Sequence, residues 1–175
     1  ANTTICSCTG LQTGATPYFF ALRAVNASGS SAWSNIASSI PVNVALNKPA
    51  TSSTFYSAAT IAPKANNGNI NEFWSATDND SNARWDVDLA AGFRIYRVEI
   101  VSRQDADLPN SRKNFEVRAS NDPGFASYSV LASQGEVPLS HASTLAVDTT
   151  QLTPFRYVKV VKTDGLYFSF AEIRV

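Results

Sequence analysis

Three pairs of aspartates, each separated by a single residue, are the feature of this sequence closest to catalytic chemistry. Two carboxyl groups hydrolyse a glycosidic bond when one acts as general acid and the other as base or nucleophile. The pairs are Asp78 and Asp80, Asp86 and Asp88, and Asp105 and Asp107. The middle pair lies on the outward face of a predicted strand and the other two lie in polar loops, so the pattern indicates no catalytic cleft.

Other catalytic signatures are missing from the sequence. It contains no HExxH zinc-protease motif, no phosphate-binding P-loop and no GxSxG nucleophile motif. Its single histidine, His141, provides little for general-base catalysis, and we expect the side chain to be solvated. The sequence therefore predicts a protein that is not an enzyme.

Composition and charge argue against two kinds of partner. The 175 residues include 14 Lys or Arg and 14 Asp or Glu, so the formal net charge is zero. A chain without net charge has no overall field that attracts nucleic acid or an anionic membrane. No apolar run approaches the roughly 18 residues of a membrane span. We therefore expect neither a nucleic-acid nor a membrane partner.

Two features of the sequence concern its origin. The absence of methionine indicates a processed or excised piece of a longer chain. The two cysteines, Cys6 and Cys8, are too close for an unstrained disulfide, and we expect both to be buried as small apolar side chains. A chain of this length can bury a core without disulfides. These features are compatible with a secreted, extracellular protein of bacterial origin.

Alternating apolar and polar residues, rather than a helical period, dominate the chain and predict antiparallel strands with one buried face. In 96–100, for example, the pattern turns Tyr96, Val98 and Ile100 inward. The alternating segments are 84–89, 96–100, 114–119, 158–162 and 171–175. Turn-forming pairs such as Asn67-Gly68 separate them. Many short strands with regular turns predict an all-β sandwich.

A segment of small residues interrupted by Pro41 predicts a linker and divides the chain into residues 1–41 and 42–175. Segments 9–11, 18–26 and 32–35 resemble the last three strands of a fibronectin type III domain, with Tyr18 at the tyrosine corner of that family. The resemblance covers less than half of such a domain. Because half a sandwich exposes strand edges and half a core, we expect this partial domain to be poorly stable unless it packs on a neighbour.

Residues 42–175 resemble a discoidin domain, the coagulation-factor type C fold that also occurs in family 32 carbohydrate-binding modules. Each matching motif is short, but seven occur in the order typical of the family. They are 43–53, 65–69 with the following Trp74, 85–89, 103–105, 114–117, 156–159 and 171–175. The resemblance implies a jelly-roll-like β-sandwich of eight strands.

The resemblance also implies a structural calcium ion beside the sandwich, bound by oxygen atoms. The corresponding ligands are the main-chain carbonyls of Lys64, Asn69 and Ala171 and the side chains of Asn67, Glu72 and Glu172. Asn67 replaces the usual aspartate, and Glu72 replaces a threonine or serine. Alternation places Glu172 off the core face. The alternative is that Asn67-Gly68 forms only a turn and that both glutamates are solvated.

Sugar-binding members of the family use loops at one end of the sandwich, where aromatic rings stack on pyranose faces and polar groups bind hydroxyls. Loops 54–57, 77–82, 103–112 and 163–169 carry such residues here. The candidate ligand-binding residues are Tyr56, Ser75, Asp78, Arg103, Asp105, Asn110, Arg112, Tyr167 and Phe168. Ser75 stands where galactose-binding members often have histidine, which puts simple galactose recognition in doubt.

Structural roles compete with ligand binding at several of these positions. Phe55 and Phe168 fit the core as well as a binding surface, and Arg103 fits a structural ion pair with Asp105 equally well. We expect Trp74 and Trp85 to lie in the core. Tyr56 and Tyr167 are the preferred candidates for exposed stacking residues.

The sequence thus predicts a non-catalytic carbohydrate-binding module that tethers a secreted polysaccharide-degrading enzyme to its substrate. Its partners would be an oligo- or polysaccharide and a catalytic domain in the same parent chain. The alternative is an extracellular or cell-surface adhesion module that binds protein or phospholipid. A phospholipid site needs exposed apolar residues flanked by several basic ones, and only Arg103, Arg112 and Lys113 lie near the candidate loops. The two arginines would also tolerate an acidic sugar.

Overall fold

A computed structural model of the chain describes residues 8–11, 17–39 and 42–175. The chain divides into two compact units, Ala1–Asn43 and Val44–Val175. No helix within these described ranges is long and apolar enough to cross a membrane.

In the first unit, the described residues form short antiparallel strand pairs. Its strands are β1 (Tyr18–Phe20), β2 (Val25–Asn26), β3 (Gly29–Ser30) and β4 (Ala37–Ser39). β1 pairs with β4, and β2 pairs with β3. Cys8 is exposed, so the prediction that it is buried is wrong, and Cys6 lies outside the described residues. The fibronectin type III origin of this unit stays a prediction.

The second unit contains ten strands and two short 3₁₀ helices, Ala62–Ala65 and Pro109–Arg112. The strands are β5 (Ala50–Ser52), β6 (Trp74–Ser75), β7 (Arg84–Phe93), β8 (Arg97–Val101), β9 (Phe115–Ser120), β10 (Ser129–Gln134), β11 (Thr144–Asp148), β12 (Phe155–Lys162), β13 (Ser169–Phe170) and β14 (Glu172–Arg174). Five form one sheet in the order β10-β9-β12-β7-β5, three form a second in the order β11-β8-β14, and β13 pairs with β6. All of these pairings are antiparallel. The predicted all-β sandwich is confirmed. Its two larger sheets contain the eight strands that the resemblance implies, and β6 and β13 form an additional pair.

The core follows from the alternation along the strands. On β7, Trp85, Val87 and Leu89 are at most 2% exposed. Ile100 of β8 and Ile173 of β14 join the same hydrophobic cluster, so the two larger sheets share one core. Removing these side chains from water is the main favourable contribution to folding, at roughly 25 cal/mol per Å² of apolar surface.

Five aromatic rings fill part of this core. Neighbouring ring centroids are 5.5–5.8 Å apart, mostly in edge-to-face or tilted arrangements. The five are Trp74, Trp85, Phe115, Phe168 and Phe170. The indole N–H of Trp74 donates to the Thr54 carbonyl at 3.0 Å and that of Trp85 to the Ala62 carbonyl at 2.8 Å, so neither buried indole is left without a partner. The prediction of Trp74 and Trp85 as core residues is confirmed.

Two alternating segments differ from the prediction. Tyr96 is 47% exposed, and the reason is that β8 begins one residue later, at Arg97, so Tyr96 is not held against the core. Glu172 does lie off the core face, yet its side chain is completely buried because the turn at Gly68 covers it. A strand residue opposite the core is therefore not solvated when a loop packs over it.

Candidate functional site

A cavity of about 500 Å³ lies among the loops of the second unit. Its volume falls within the range of small-molecule pockets, about 300–1,000 Å³. Residues from the loop after β5, from β6 and its flanks, from the loop after β8 and from the segment before β13 surround it. They are Tyr56, Ser57, Thr60, Phe73, Ser75, Asp78, Arg103, Leu108 and Tyr167.

Main-chain hydrogen bonds fix the loop after β5 against β6. The Tyr56 N–H donates to the Ser75 carbonyl at 2.8 Å, and the Ser75 N–H donates to the Thr60 carbonyl at 3.2 Å. On its other edge β6 pairs with β13, with Ser75 opposite Ser169. Tyr56, Thr60 and Ser75 therefore form one wall of the cavity on a backbone that is bonded on both sides.

A chain of polar contacts crosses the cavity. The Ser75 and Tyr167 hydroxyls are 2.7 Å apart, and Arg103 Nη1 donates to the Tyr167 hydroxyl at 2.8 Å. Arg103 also forms a two-point contact with Asp105, from Nε at 3.0 Å and from Nη2 at 2.7 Å. Since a guanidinium carries five N–H donors, one hydrogen on each terminal nitrogen of Arg103 is left over for a ligand.

The guanidinium of Arg103 packs over the face of the Phe73 ring. The guanidinium carbon lies 3.6 Å from the centroid of this ring, within the range of a cation–π contact. Burial lowers the pKa of Arg103, but the hydrogen bonds to Asp105 and Tyr167 outweigh this effect and the net pKa is raised. The Arg103 side chain is therefore a charged donor held in one orientation.

Two further residues of the cavity face solvent. Tyr56 is 64% exposed, so its ring is accessible as a platform. Asp78 is also exposed, and among the described residues its carboxylate has no hydrogen bond and no ion pair. The cavity thus combines an accessible aromatic ring, free N–H donors and a free carboxylate, which are the groups that bind the faces and hydroxyls of a polar cyclic ligand.

The structure brings together five of the nine sequence-predicted ligand-binding residues as cavity lining: Tyr56, Ser75, Asp78, Arg103 and Tyr167. A sixth, Asp105, does not line the cavity but holds Arg103. The arginine therefore belongs to an ion pair and to the cavity at once, although the sequence presented these as alternatives.

The other three predicted residues lie elsewhere. Phe168 is 0% exposed and contacts Trp74 edge-to-face, so the expectation that it stacks on a ligand is wrong. Arg112 is nearly buried, and its guanidinium donates to the Leu139 carbonyl at 2.7 Å and to Asp107 at 2.6 Å. Asn110 is exposed, and its carbonyl accepts a hydrogen bond from Lys162 at 2.5 Å. Both Arg112 and Asn110 stabilise the loop that carries the cavity residue Leu108 and do not line the cavity.

Sequence reasoning missed four lining residues: Ser57, Thr60, Phe73 and Leu108. For Phe73 a usable pattern exists, because Trp74 is a core residue and its neighbours Phe73 and Ser75 must then point to the opposite side of the strand. For Ser57, Thr60 and Leu108, which lie in irregular loops, the sequence carries no period from which an orientation could be read.

The aspartate pairs are engaged in other contacts. Asp88 pairs with Arg156 at 2.8 Å, and Asp86 pairs with Lys159 at 3.2 Å, both on the outer face of the five-stranded sheet. Asp80 accepts hydrogen bonds from the Ser53 and Thr54 hydroxyls at 2.5 and 2.7 Å. With Asp105 and Asp107 paired to arginines, Asp78 is the one member of the three pairs that lines the cavity.

The predicted metal ligands lie around the turn at Gly68. Both carboxylate oxygens of Glu172 are 3.2 Å from the Gly68 N–H, which donates to them. Burial raises the pKa of Glu172 to about 7, and the Gly68 N–H and the nearby Arg174 offset this only in part. Among the described residues Glu172 has no ion-pair partner. It is therefore a buried carboxylate that no cation contacts.

Four of the remaining predicted ligand residues, Lys64, Asn67, Asn69 and Glu72, contact one another. Glu72 forms an ion pair with Lys64 at 2.6 Å and accepts a hydrogen bond from Asn67 Nδ2 at 2.5 Å. The Asn69 carbonyl accepts from the Glu72 N–H at 3.1 Å. Carboxylate, amide and carbonyl oxygens such as these and those of the buried Glu172 are the ligand types that a hard cation takes. In the described part of the chain, no three His, Cys, Asp or Glu side chains converge on one point, so main-chain and amide oxygens would have to complete such a site.

Comparison with known proteins identifies one family. The model of the F5/8 type C domain matches residues 48–173. No curated protein sequence matches the chain significantly.

Solved structures resemble this chain in fold. A fucose-binding module of Streptococcus pneumoniae is 28% identical over 77% of this chain and 94% of that one, with a TM-score of 0.62. The lectin domain of lectinolysin, solved with Lewis B antigen, is also 28% identical, over 76% and 94% of the two chains, with a TM-score of 0.62. The family 32 carbohydrate-binding module of NanJ from C. perfringens, solved with galactose, is 20% identical over 74% and 93%, with a TM-score of 0.59, and shows the fold alone.

Proposed function

Because the chain belongs to the F5/8 type C domain family, we propose that its second unit is a non-catalytic carbohydrate-binding module. The ligand is an oligo- or polysaccharide, which binds in the cavity beside Tyr56, Arg103 and Tyr167. Similarity to a fucose-binding module and to a lectin domain, both 28% identical, supports this class of ligand.

The observation that carries the proposal is the position of an accessible aromatic ring beside a fixed guanidinium. The exposed ring of Tyr56 offers an apolar surface for one face of a pyranose. Arg103 has two N–H groups left for sugar hydroxyls, and its other donors hold it in place through Asp105 and Tyr167. Because Arg103 is held before the ligand arrives, binding costs little side-chain entropy.

The same contacts argue against catalysis. Hydrolysis of a glycosidic bond needs two carboxyl groups that flank it. Among the residues that the structure describes, only Asp78 supplies a carboxylate to the cavity lining, and the nearby Asp105 is paired with Arg103 at 2.7 Å. The module binds its ligand and leaves it unchanged.

In its parent protein the module tethers a secreted, bacterial polysaccharide-degrading catalytic domain to its substrate. Tethering converts the encounter of enzyme and polymer into an intramolecular event with a high effective concentration. The prediction that residues 1–41 form part of a fibronectin type III domain, which would act as a spacer, agrees with this role.

A structural calcium ion belongs to the same proposal. The Glu172 and Glu72 carboxylates, the Asn67 side chain and the carbonyls of Lys64, Asn69 and Ala171 would hold it. Bound there, calcium would neutralise the buried Glu172 and fasten the turn at Gly68 to β14. Its contribution is to stability, since none of these residues lines the cavity.

Affinity electrophoresis against a panel of neutral, amino and acidic polysaccharides tests the proposed function. The wild-type chain should be retarded by at least one polymer, and Tyr56→Ala should weaken that retardation roughly tenfold or more, as loss of a central aromatic contact does. Tyr96→Ala is the matched control, because Tyr96 is a similarly exposed tyrosine outside the cavity. No retardation by any polymer, together with binding to protein or to anionic vesicles, would contradict the proposal and favour an adhesion module.

A further inference from the structure

We infer that the cavity selects sugars that carry a protonated amino group, as in 2-amino-2-deoxyhexoses, over sugars that carry a carboxylate. The inference rests on the proposed function and specifies the ligand class of the same cavity. It follows from which of the charged side chains at the cavity are already neutralised within the protein.

The positive charge of the cavity is already paired. Arg103 is the basic residue of the lining, and Asp105 contacts it at two points, 3.0 Å and 2.7 Å. A second carboxylate brought by a ligand would have to share this guanidinium with Asp105 and would be repelled by it. Arg112, the other basic candidate in this loop, is occupied by Asp107 at 2.6 Å and does not line the cavity. The presence of two arginines in loop 103–112 therefore does not favour an acidic sugar.

The negative charge of the cavity is free. Within the described residues the Asp78 carboxylate makes neither a hydrogen bond nor an ion pair. Its neighbour Asp80 shows the contrast, because both Ser53 and Thr54 donate hydrogen bonds to it. Arg103, Asp105 and Asp78 together carry a net charge of minus one, and the uncompensated part is on Asp78.

An ammonium group on the ligand is the partner that completes this arrangement. An ammonium donates up to three hydrogen bonds and accepts none, which matches a carboxylate that has only acceptors to offer. Tyr56 and Asp78 line the same cavity, so one pyranose can stack on the ring and present an amine to the carboxylate. Since Asp78 is exposed, we expect a modest gain, because solvent screens such pairs.

Isothermal titration calorimetry of the full chain with matched sugars tests the inference. The probes are glucosamine and galactosamine oligomers, the same oligomers with every amine acetylated, and a galacturonate oligomer, at a pH at which the amine is protonated. The free-amine form should bind roughly two- to fivefold more tightly than its acetylated counterpart, and the galacturonate should bind most weakly. The preference should shrink as salt rises from about 20 mM to about 500 mM.

Asp78→Asn tests the contribution of the Asp78 charge by itself, because the amide keeps the shape of the side chain and removes the charge. It should abolish the preference for the free amine, so that the free-amine and acetylated oligomers bind Asp78→Asn with equal affinity, whatever the change in the affinity for the acetylated oligomer itself. Glu116→Gln is the control, because it changes the net charge of the protein by the same amount at a position on the outer face of β9.

The outcomes distinguish this inference from the proposed function. If the acetylated or another neutral sugar binds and the free-amine form binds no more tightly, the inference is wrong and the carbohydrate-binding function stands. The inference is also wrong if Asp78→Asn retains the preference. If no sugar in the electrophoresis panel or in the calorimeter binds, the proposed function itself fails.

Discussion

Arg103 Nη1 donates a 2.8 Å hydrogen bond to the hydroxyl of Tyr167, a residue 64 positions later in the chain. This contact joins the loop after β8 to the segment before β13. Because the Ser75 hydroxyl lies 2.7 Å from the same oxygen, Tyr167 connects three separate segments at the cavity. Tyr167 is therefore a positioning residue for Arg103, whereas the more exposed Tyr56 is the accessible ring.

Tyr167→Phe should weaken sugar binding without loss of the fold. The variant keeps the ring but removes the partner of Arg103 Nη1 and of the Ser75 hydroxyl, which are two hydrogen bonds worth about 0.5–1.5 kcal/mol each. Calorimetry should show a two- to tenfold weaker Kd, and the melting temperature should fall by roughly 2–12 °C. An unchanged Kd would mean that Arg103 does not depend on Tyr167 for its position.

Two phenylalanines that the sequence did not distinguish should behave differently in unfolding experiments. Phe168 is 0% exposed in the aromatic cluster, and Phe55 is 53% exposed. Phe168→Ala should lower the free energy of unfolding by about 3–5 kcal/mol through lost burial and the cavity left behind. Phe55→Ala should change it by at most about 0.5 kcal/mol. Urea denaturation of both variants measures the difference, and equal losses would contradict the burial that separates them.

Regular alternation explains why the strands and core were predictable. Trp85, Val87 and Leu89 are separated by single polar residues, and in a strand this spacing has only one burial solution. The prediction that Tyr96 is buried is wrong because the strand starts at Arg97, and the alternating pattern does not mark that boundary.

The site was predictable only where a side chain type implied its chemistry. The loops of Tyr56, Arg103 and Tyr167 were identifiable from aromatic and polar residues. Phe168 is an aromatic residue next to Tyr167 in the same loop, but it does not line the cavity. Its ring is buried in the core, and β13 begins directly after it. Arg103 and Arg112 are both paired with an aspartate, but only Arg103 of the two lines the cavity. This difference depends on contacts between loops, and no local pattern encodes them.

Lys162 should be a structural residue despite its charge. Its side chain is 0% exposed, and its ammonium donates to the carbonyls of Asn110 and Lys113 at 2.5 and 2.6 Å. Lys162→Met should destabilise the fold by about 1–3 kcal/mol, because these carbonyls lose their donor. Lys113→Met, which removes a partly exposed ammonium paired with the largely exposed Glu136, should cost less than about 1 kcal/mol. Thermal unfolding of the two variants provides the comparison, and equal costs would contradict the role of Lys162.

The buried Glu172 should make the metal-free protein less stable as pH rises. Burial raises the folded-state pKa of Glu172 to about 7, above its ordinary value of 4.5. Below about pH 4.5 the group is protonated in both states and costs nothing. As pH rises toward 7 the unfolded chain ionises first, so the folded state loses up to about 3 kcal/mol relative to a variant that cannot ionise. Urea denaturation in chelator from pH 4.5 to 8 should show this loss in wild type relative to Glu172→Gln, and a constant difference would contradict it.

Calcium should stabilise the chain through the turn at Gly68 and β14. Binding to the folded state alone adds about 2.7 kcal/mol when free calcium is 100 times its Kd, which raises the melting temperature of a domain of this size by roughly 5–10 °C. Scanning calorimetry at pH 7.5 with calcium and with chelator measures the shift, and magnesium should give a smaller one because it requires stricter geometry. Glu172→Gln should abolish the shift, whereas Glu116→Gln, which removes a surface carboxylate paired with Arg118, should retain it. Equal melting temperatures with calcium and with chelator would leave Glu172 without a metal role, and the carbohydrate-binding proposal would be unaffected because no predicted metal ligand lines the cavity.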